Sequence, residues 1–198
     1  MIEKLAQKIY NYMSKHIQVD SELEDVYRYG IEVTISSILN ICLVMIASVL
    51  LGNPLSGLSF LICFIMLRLF CGGYHANSYL KCNSLMVILF VVSHFGAKLL
   101  FHYNLTDYRL MSILLMLAFL PIYAFAPVKN KRKPLSERKA KKCRLLSIII
   151  YILLSLLGLL LTSFGLLYGS IIIITFIEIS VLILVEILMQ RRHNDENP

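Results

Sequence analysis

Residues 145–189 read LLSIIIYILLSLLGLLLTSFGLLYGSIIIITFIEISVLILVEILM, an apolar stretch with almost no interruption. A helix rises about 1.5 Å per residue, so about 20 residues cross a hydrocarbon core of roughly 30 Å. The stretch is too long for one crossing, and Thr162-Ser163-Phe164-Gly165 with Gly169-Ser170 offers the place to turn back. Upstream, four shorter apolar runs read the same way: Ile31 to Leu51, closed by Gly52-Asn53-Pro54; Leu55 to Phe70; Ser84 to Phe101; and Leu110 to Val128. Together they predict an all-α polytopic membrane bundle of six transmembrane helices, since helices satisfy every backbone group inside lipid.

Composition agrees. Of 198 residues, 58% are hydrophobic and only 16% charged, and the mean hydropathy is +0.75, so the main solvent is lipid rather than water. Too little chain lies outside the spans for a second folded unit, and residues 1–198 are read as a single membrane domain. Within residues 1–29, Ile2, Leu5, Ile9, Met13 and Ile17 recur at three- and four-residue spacing, with Glu3, Lys4, Lys8 and Lys15 elsewhere on the wheel. This predicts an amphipathic N-terminal helix, lying on the membrane surface or packed on the rest of the protein. Glu3, Lys4 and Lys8 interrupt what would be the apolar part of a signal peptide, so none is expected.

The formal charge of +7 is concentrated in 129–144 between two spans rather than spread over an amphipathic face. Topology accounts for it without nucleic acid as a partner. Six crossings put both termini, the 68–83 connection and the basic 129–144 loop on one side, and by the positive-inside rule that side is the cytoplasm of a multi-pass cell-membrane protein. The five cysteines, Cys42, Cys63, Cys71, Cys82 and Cys143, show no CxxC pairing. Neither a disulfide framework nor a metal site is expected. No internal or inverted repeat is visible.

The segment that can carry chemistry is Arg68-Leu69-Phe70-Cys71-Gly72-Gly73-Tyr74-His75-Ala76-Asn77-Ser78-Tyr79-Leu80-Lys81-Cys82. A cysteine peptidase needs a thiolate activated by a histidine that also protonates the leaving amine. On a straight helix His75 and Cys82 would be separated by roughly 10 Å of rise, too far for a hydrogen bond, so the segment must bend. Gly72-Gly73 supplies a break. Cys71, four residues before His75, is a competing nucleophile, and residue types alone do not choose between the two cysteines. They equally fit unrelated polar residues in a short loop.

Arg68, Gly73-Tyr74-His75-Ala76 and Cys82, seven residues after His75, resemble the motif of the accessory gene regulator B (AgrB) family of Gram-positive bacteria. Chain size, the amphipathic start, the six-span layout and the basic loop are also similar to that family. The resemblance implies a membrane cysteine endopeptidase acting in quorum sensing. His75 would activate Cys82, whose thiolate cleaves the C-terminal part of a small signalling propeptide and holds the remainder as a thioester. A cysteine or serine of the bound peptide then closes a thiolactone or lactone. No metal or organic cofactor is required. The resemblance also implies a propeptide with an amphipathic leader and an acidic C-terminal segment, and it admits a homodimer, with which the small residues Gly158, Ser163 and Gly165 are compatible.

Around that pair, Arg68 and Gly73 are expected to support the site or orient a substrate carboxylate, although Arg68 near a span end also fits snorkelling. Ser78 and Asn77 are candidate hydrogen-bond partners of the histidine or an oxyanion, or plain loop residues. Lys131, Arg132 and Lys133 are candidates for meeting the acidic segment of the propeptide, beside their role in topology and lipid attraction. His94, Lys98, Glu178 and Glu186 are polar residues within spans, which mark function or paired structural sites. They sustain the alternative of a small transporter or channel, in which Glu178 rather than Cys82 would be essential. A structural subunit would tolerate substitution at both.

Overall fold

The structure is a computed structural model that describes residues 2–16, 24–73, 78–128 and 136–196. Seven helices follow in order: α1 (Ile2–His16), α2 (Glu24–Leu50), α3 (Pro54–Cys71), α4 (Tyr79–His102), α5 (Tyr108–Phe125), α6 (Glu137–Ser163) and α7 (Leu167–Glu196). Helices α2 to α7 are six segments long and apolar enough to cross a membrane, and no strand occurs among the described residues. The all-α, six-span architecture of a multi-pass membrane protein is therefore the observed one.

Helix α7 is the axle of the bundle, packed against α3, α4, α5 and α6. Ile171, Ile173, Phe176, Ile179 and Ile183 on it are fully buried. The outer helices turn Leu117, Leu120, Leu153 and Leu156 outward, where lipid is as good a solvent as another leucine. What holds such helices together is close fit. A Cβ at Gly169 of α7 would collide with the Thr162 hydroxyl and the Gly158 carbonyl of α6. Gly158 itself faces Ile172, so this small residue is used between two helices of one chain. Some hydroxyls inside the spans bond to their own backbone, as Thr162 does to Gly158 O at 2.8 Å and Thr175 to Ile171 O at 2.7 Å, which spares them an unpaired state in lipid.

The reversals lie where the sequence places them. Between α2 and α3, Gly52 takes φ +72°, Asn53 accepts from the Ser56 amide at 3.2 Å, and Pro54 opens the next helix, where a missing N–H costs nothing. Between α6 and α7, Gly165 has φ +70°. Both turns, with the 103–107 connection, lie at one end of the bundle. The opposite end gathers the start of α2, α4 and α6 and the finish of α3, α5 and α7.

Three boundaries differ from the sequence reading. Helix α2 begins at Glu24, not near Ile31, because a helix need not stop where apolarity stops. Arg28 pairs with Asp25 at 3.3 Å and with Glu32 at 3.9 Å, which are helix-supporting spacings. Helix α6 begins at Glu137, so the second half of the expected basic loop is helix, in keeping with the propensity of Glu, Arg, Lys and Ala. Finally, α1 packs on α2 and buries Ala6 and Tyr10, while Leu5 and Ile9 remain exposed. Of the two expectations for α1, the structure shows packing on the rest of the protein, with an apolar edge at Leu5 and Ile9 left uncovered.

Candidate active site

The C-terminus of α3 forms the floor of the candidate site. Helix α3 ends at Cys71 because Gly72 takes φ +70° and Gly73 φ +120°, conformations that side chains with a Cβ avoid. The Gly72 amide closes the last turn on Arg68 O at 3.0 Å, and the Val128 amide reaches across to Cys71 O at 2.9 Å. That second bond ties the end of α3 to the segment after α5. The bend expected of the glycine pair is therefore present.

Arg68 turns toward the break. Its Nη1 would stand 2.9 Å from a Cβ placed on Gly73, with Ile183 of α7 on the other side at 3.7 Å. The guanidinium also lies 5.6 Å from the Phe64 ring centroid. Helices α3 and α7 thus meet at Gly73, and the absence of a side chain there gives the guanidinium room.

Helix α4 presents Cys82. Ser78 caps it, accepting from the Lys81 amide at 3.3 Å, and the Cys82 amide donates to Ser78 O at 3.0 Å. Cys82 thus lies in the first turn of α4. It is partly exposed, whereas Cys71 is completely buried. Of the two thiols, only Cys82 reaches the surface of the bundle.

Among the other sequence candidates, Arg68, Gly73, Ser78 and Cys82 gather around the α3–α4 connection. His75 and Asn77 lie outside the described residues, as do Lys131, Arg132 and Lys133. The described basic residues nearest to them belong to α6. Arg144 donates to Tyr123 O at 3.0 Å and lies 5.3 Å over the Tyr123 ring, so a cation near the start of α6 is compensated at the carbonyl end of α5.

Sequence reasoning missed Glu32 and Tyr79. The Tyr79 hydroxyl donates to Glu32 Oε2 at 2.7 Å. A carboxylate one residue inside an apolar run was the available signal. Glu186, noted in the sequence, accepts from Gln190 Nε2 at 2.8 Å on its own helix.

A second polar cluster lies deeper in the bundle. Ser93 donates to Glu178 Oε2 at 2.9 Å and sits 3.4 Å from the Thr175 hydroxyl. His94 Nδ1 is 3.0 Å from the Ser56 hydroxyl. Glu178 Oε1 and His94 Nε2 are buried without a hydrogen-bond partner among the described residues. Ser93 is 11 residues beyond Cys82 on α4, roughly 16 Å along the helix, so this cluster and the thiol are separate places. Lys98 instead packs its ammonium 5.9 Å from the Phe95 ring.

Comparison with known proteins gives a consistent result. The family model described as "Accessory gene regulator B" matches residues 6–190. The chain is 29% identical over 145 residues to a putative AgrB-like protein of Clostridium perfringens (strain SM101 / Type A), covering 72% of this chain and 68% of the relative. It is 26% identical over 154 residues to accessory gene regulator protein B of Staphylococcus intermedius, covering 77% of each. To the protein of that name in Staphylococcus aureus (strain bovine RF122 / ET3-1) it is 25% identical over 154 residues, covering 77% of this chain and 80% of the relative. No solved structure matches the chain.

Proposed function

The chain belongs to the accessory gene regulator B family, and from that premise we propose that it is a membrane cysteine endopeptidase that matures a small quorum-sensing propeptide. The observation that carries the proposal is the first turn of α4, where Cys82 is partly exposed just past the glycine break that ends α3, while Cys71 is sealed.

In the proposed reaction His75 takes the Cys82 thiol proton, and the sulfur attacks a backbone carbonyl of the propeptide. Collapse of the tetrahedral intermediate breaks the C–N bond. The departing C-terminal fragment leaves as an amine carrying the proton from His75, and the remaining peptide is held as a thioester. A cysteine thiol or serine hydroxyl within that peptide then attacks the thioester carbonyl, loses its proton to His75, and returns the Cys82 sulfur as leaving group. The product is a thiolactone or lactone, and no oxidant, metal or nucleotide enters the balance. Water must be kept from the thioester long enough for ring closure, a need that a site walled by apolar helices serves.

Arg68 is suited to hold a substrate carboxylate or steady the developing oxyanion. Lys131, Arg132 and Lys133 are proposed to meet an acidic C-terminal segment of the propeptide, whose amphipathic leader would lie in the bilayer. The site is proposed to face the cytoplasm, in line with the basic residues at that end of the bundle.

The test is reconstitution of the purified protein in liposomes with the small peptide encoded beside it, followed by mass spectrometry. Cys82→Ala is expected to abolish cleavage and the enzyme-linked peptide, while Cys71→Ala keeps both. Normal processing by Cys82→Ala would refute the assignment and favour a transporter built around Glu178. Neutralising Lys131, Arg132 and Lys133 together is expected to weaken processing in a salt-sensitive way without altering insertion.

A further inference from the structure

Beside Cys82, a line of polar contacts crosses three helices and is not accounted for by the proposed chemistry. Arg28 Nη1 of α2 donates to Gln7 Oε1 of α1 at 3.4 Å. Arg28 Nε stands 3.9 Å from Glu32 Oε1, and Glu32 Oε2 accepts the Tyr79 hydroxyl of α4 at 2.7 Å. One turn further, the Ser36 hydroxyl donates to Asn83 Oδ1 at 3.0 Å. Both α2–α4 pairs are separated by 47 residues, so the two helices run parallel in one register. Tyr79 and Asn83 bracket Cys82.

We propose that Glu32 and Tyr79 are positioning residues for Cys82, clamping the first turn of α4 so that the sulfur keeps its place relative to Arg68. The clamp is anchored to α1 through Arg28 and Gln7. This inference rests on the peptidase reading of Cys82.

The physical need is specific. First turns fray because their N–H groups lack intrahelical partners, and here the Ser78 cap supplies one bond of 3.3 Å. The residue at the start of that turn is Tyr79, and its hydroxyl is held from the side by a carboxylate whose side chain is only 13% exposed. A phenol–carboxylate bond is charge-assisted and short, and leaving either partner alone at that burial is costly. Catalysis is sensitive to this, because a nucleophile misplaced by about 1 Å loses on the order of 100-fold in rate.

The test has two arms, both on the full chain in liposomes. Hydrogen exchange of the 78–84 backbone is compared in wild type, Glu32→Ala, Glu32→Gln and Tyr79→Phe. Exchange there is expected to accelerate in Glu32→Ala and Tyr79→Phe, with the rest of α4 unaltered, and to stay near wild type in Glu32→Gln, which keeps an oxygen for the phenol. Unchanged exchange in both disruptive variants would overturn the proposal whatever the enzyme does.

In the second arm the neighbouring small peptide is processed. Both disruptive variants are expected to lose about 10-fold in kcat at unchanged KM, and the double variant no more than either single one. Loss in KM alone, or faster exchange with full kcat, would refute a positioning role. If the wild type processes no peptide, the peptidase reading fails, and the exchange arm alone decides whether the clamp exists.

Discussion

Arg68 covers Gly73 so closely that a methyl group on that glycine would stand 2.9 Å from Nη1. The contact explains why a glycine is needed five residues after Arg68, just past the end of α3: it combines room for the guanidinium with a backbone at φ +120°. Gly73→Ala meets both penalties, strain in a region reserved for glycine and displacement of Arg68. It is expected to cost about 1–3 kcal/mol of local stability and at least about 10-fold in propeptide processing. Gly72→Ala has φ +70° and its methyl approaches Val128 O at 3.2 Å, but the nearest atoms it meets all belong to Val128 and none to the Arg68 guanidinium. Processing assays on the two variants, at matched expression, are expected to rank Gly73→Ala as the more harmful.

The burial difference between the two thiols predicts a chemical difference. Cys71 is 0% exposed, and its carbonyl is held by the Val128 amide. In single-cysteine variants, alkylation of Cys71 by N-ethylmaleimide is expected to be at least about 10-fold slower than that of Cys82. Dissolving the bundle in denaturant should bring the rates together. Equal rates in the folded protein would mean that Cys71 is not sealed and returns as a rival nucleophile.

Span number, the places of reversal and the glycine break were legible because they follow from apolar length and from φ preferences that only glycine meets. The first turns of α2 and α6 were not, since charge stops a membrane span but does not stop a helix. Residues 24–32 continue with pairs such as Arg28 and Asp25. Nor was the burial of Cys71 over Cys82 legible: both flank the same short connection, and Cys71 is tied to Val128, a residue 57 positions further along the chain. Long-range partners of that kind leave no local periodicity.

Glu178 is only 8% exposed, bonded through one oxygen to Ser93 while the other has no partner among the described residues. An unpaired charge at this depth is costly, whereas a neutral group of the same shape keeps the Ser93 contact. Glu178→Gln is therefore expected to leave thermal stability in detergent and the processing rate within about threefold of wild type. Glu178→Lys puts a longer cation in the same place and is expected to prevent accumulation of folded protein. Loss of function in a well-folded Glu178→Gln protein would instead point to a carboxylate at work in the membrane, and would favour the transport reading.

The α6–α7 seam makes the most severe structural prediction. At Gly169 an added Cβ overlaps both the Thr162 hydroxyl and the backbone carbonyl of Gly158, and a carbonyl on a packed helix cannot move aside as a flexible side chain can. Gly158→Ala meets only the Ile172 Cγ2 at 3.2 Å as its nearest neighbour, which a small rotation relieves. Overpacking typically costs about 1–3 kcal/mol, and Gly169→Ala is expected at or above the top of that range, with Gly158→Ala near the bottom. The measurement is the temperature at which each purified variant loses monodispersity in detergent. A larger drop for Gly158→Ala than for Gly169→Ala would show that α6 and α7 do not cross where Gly169 meets Thr162.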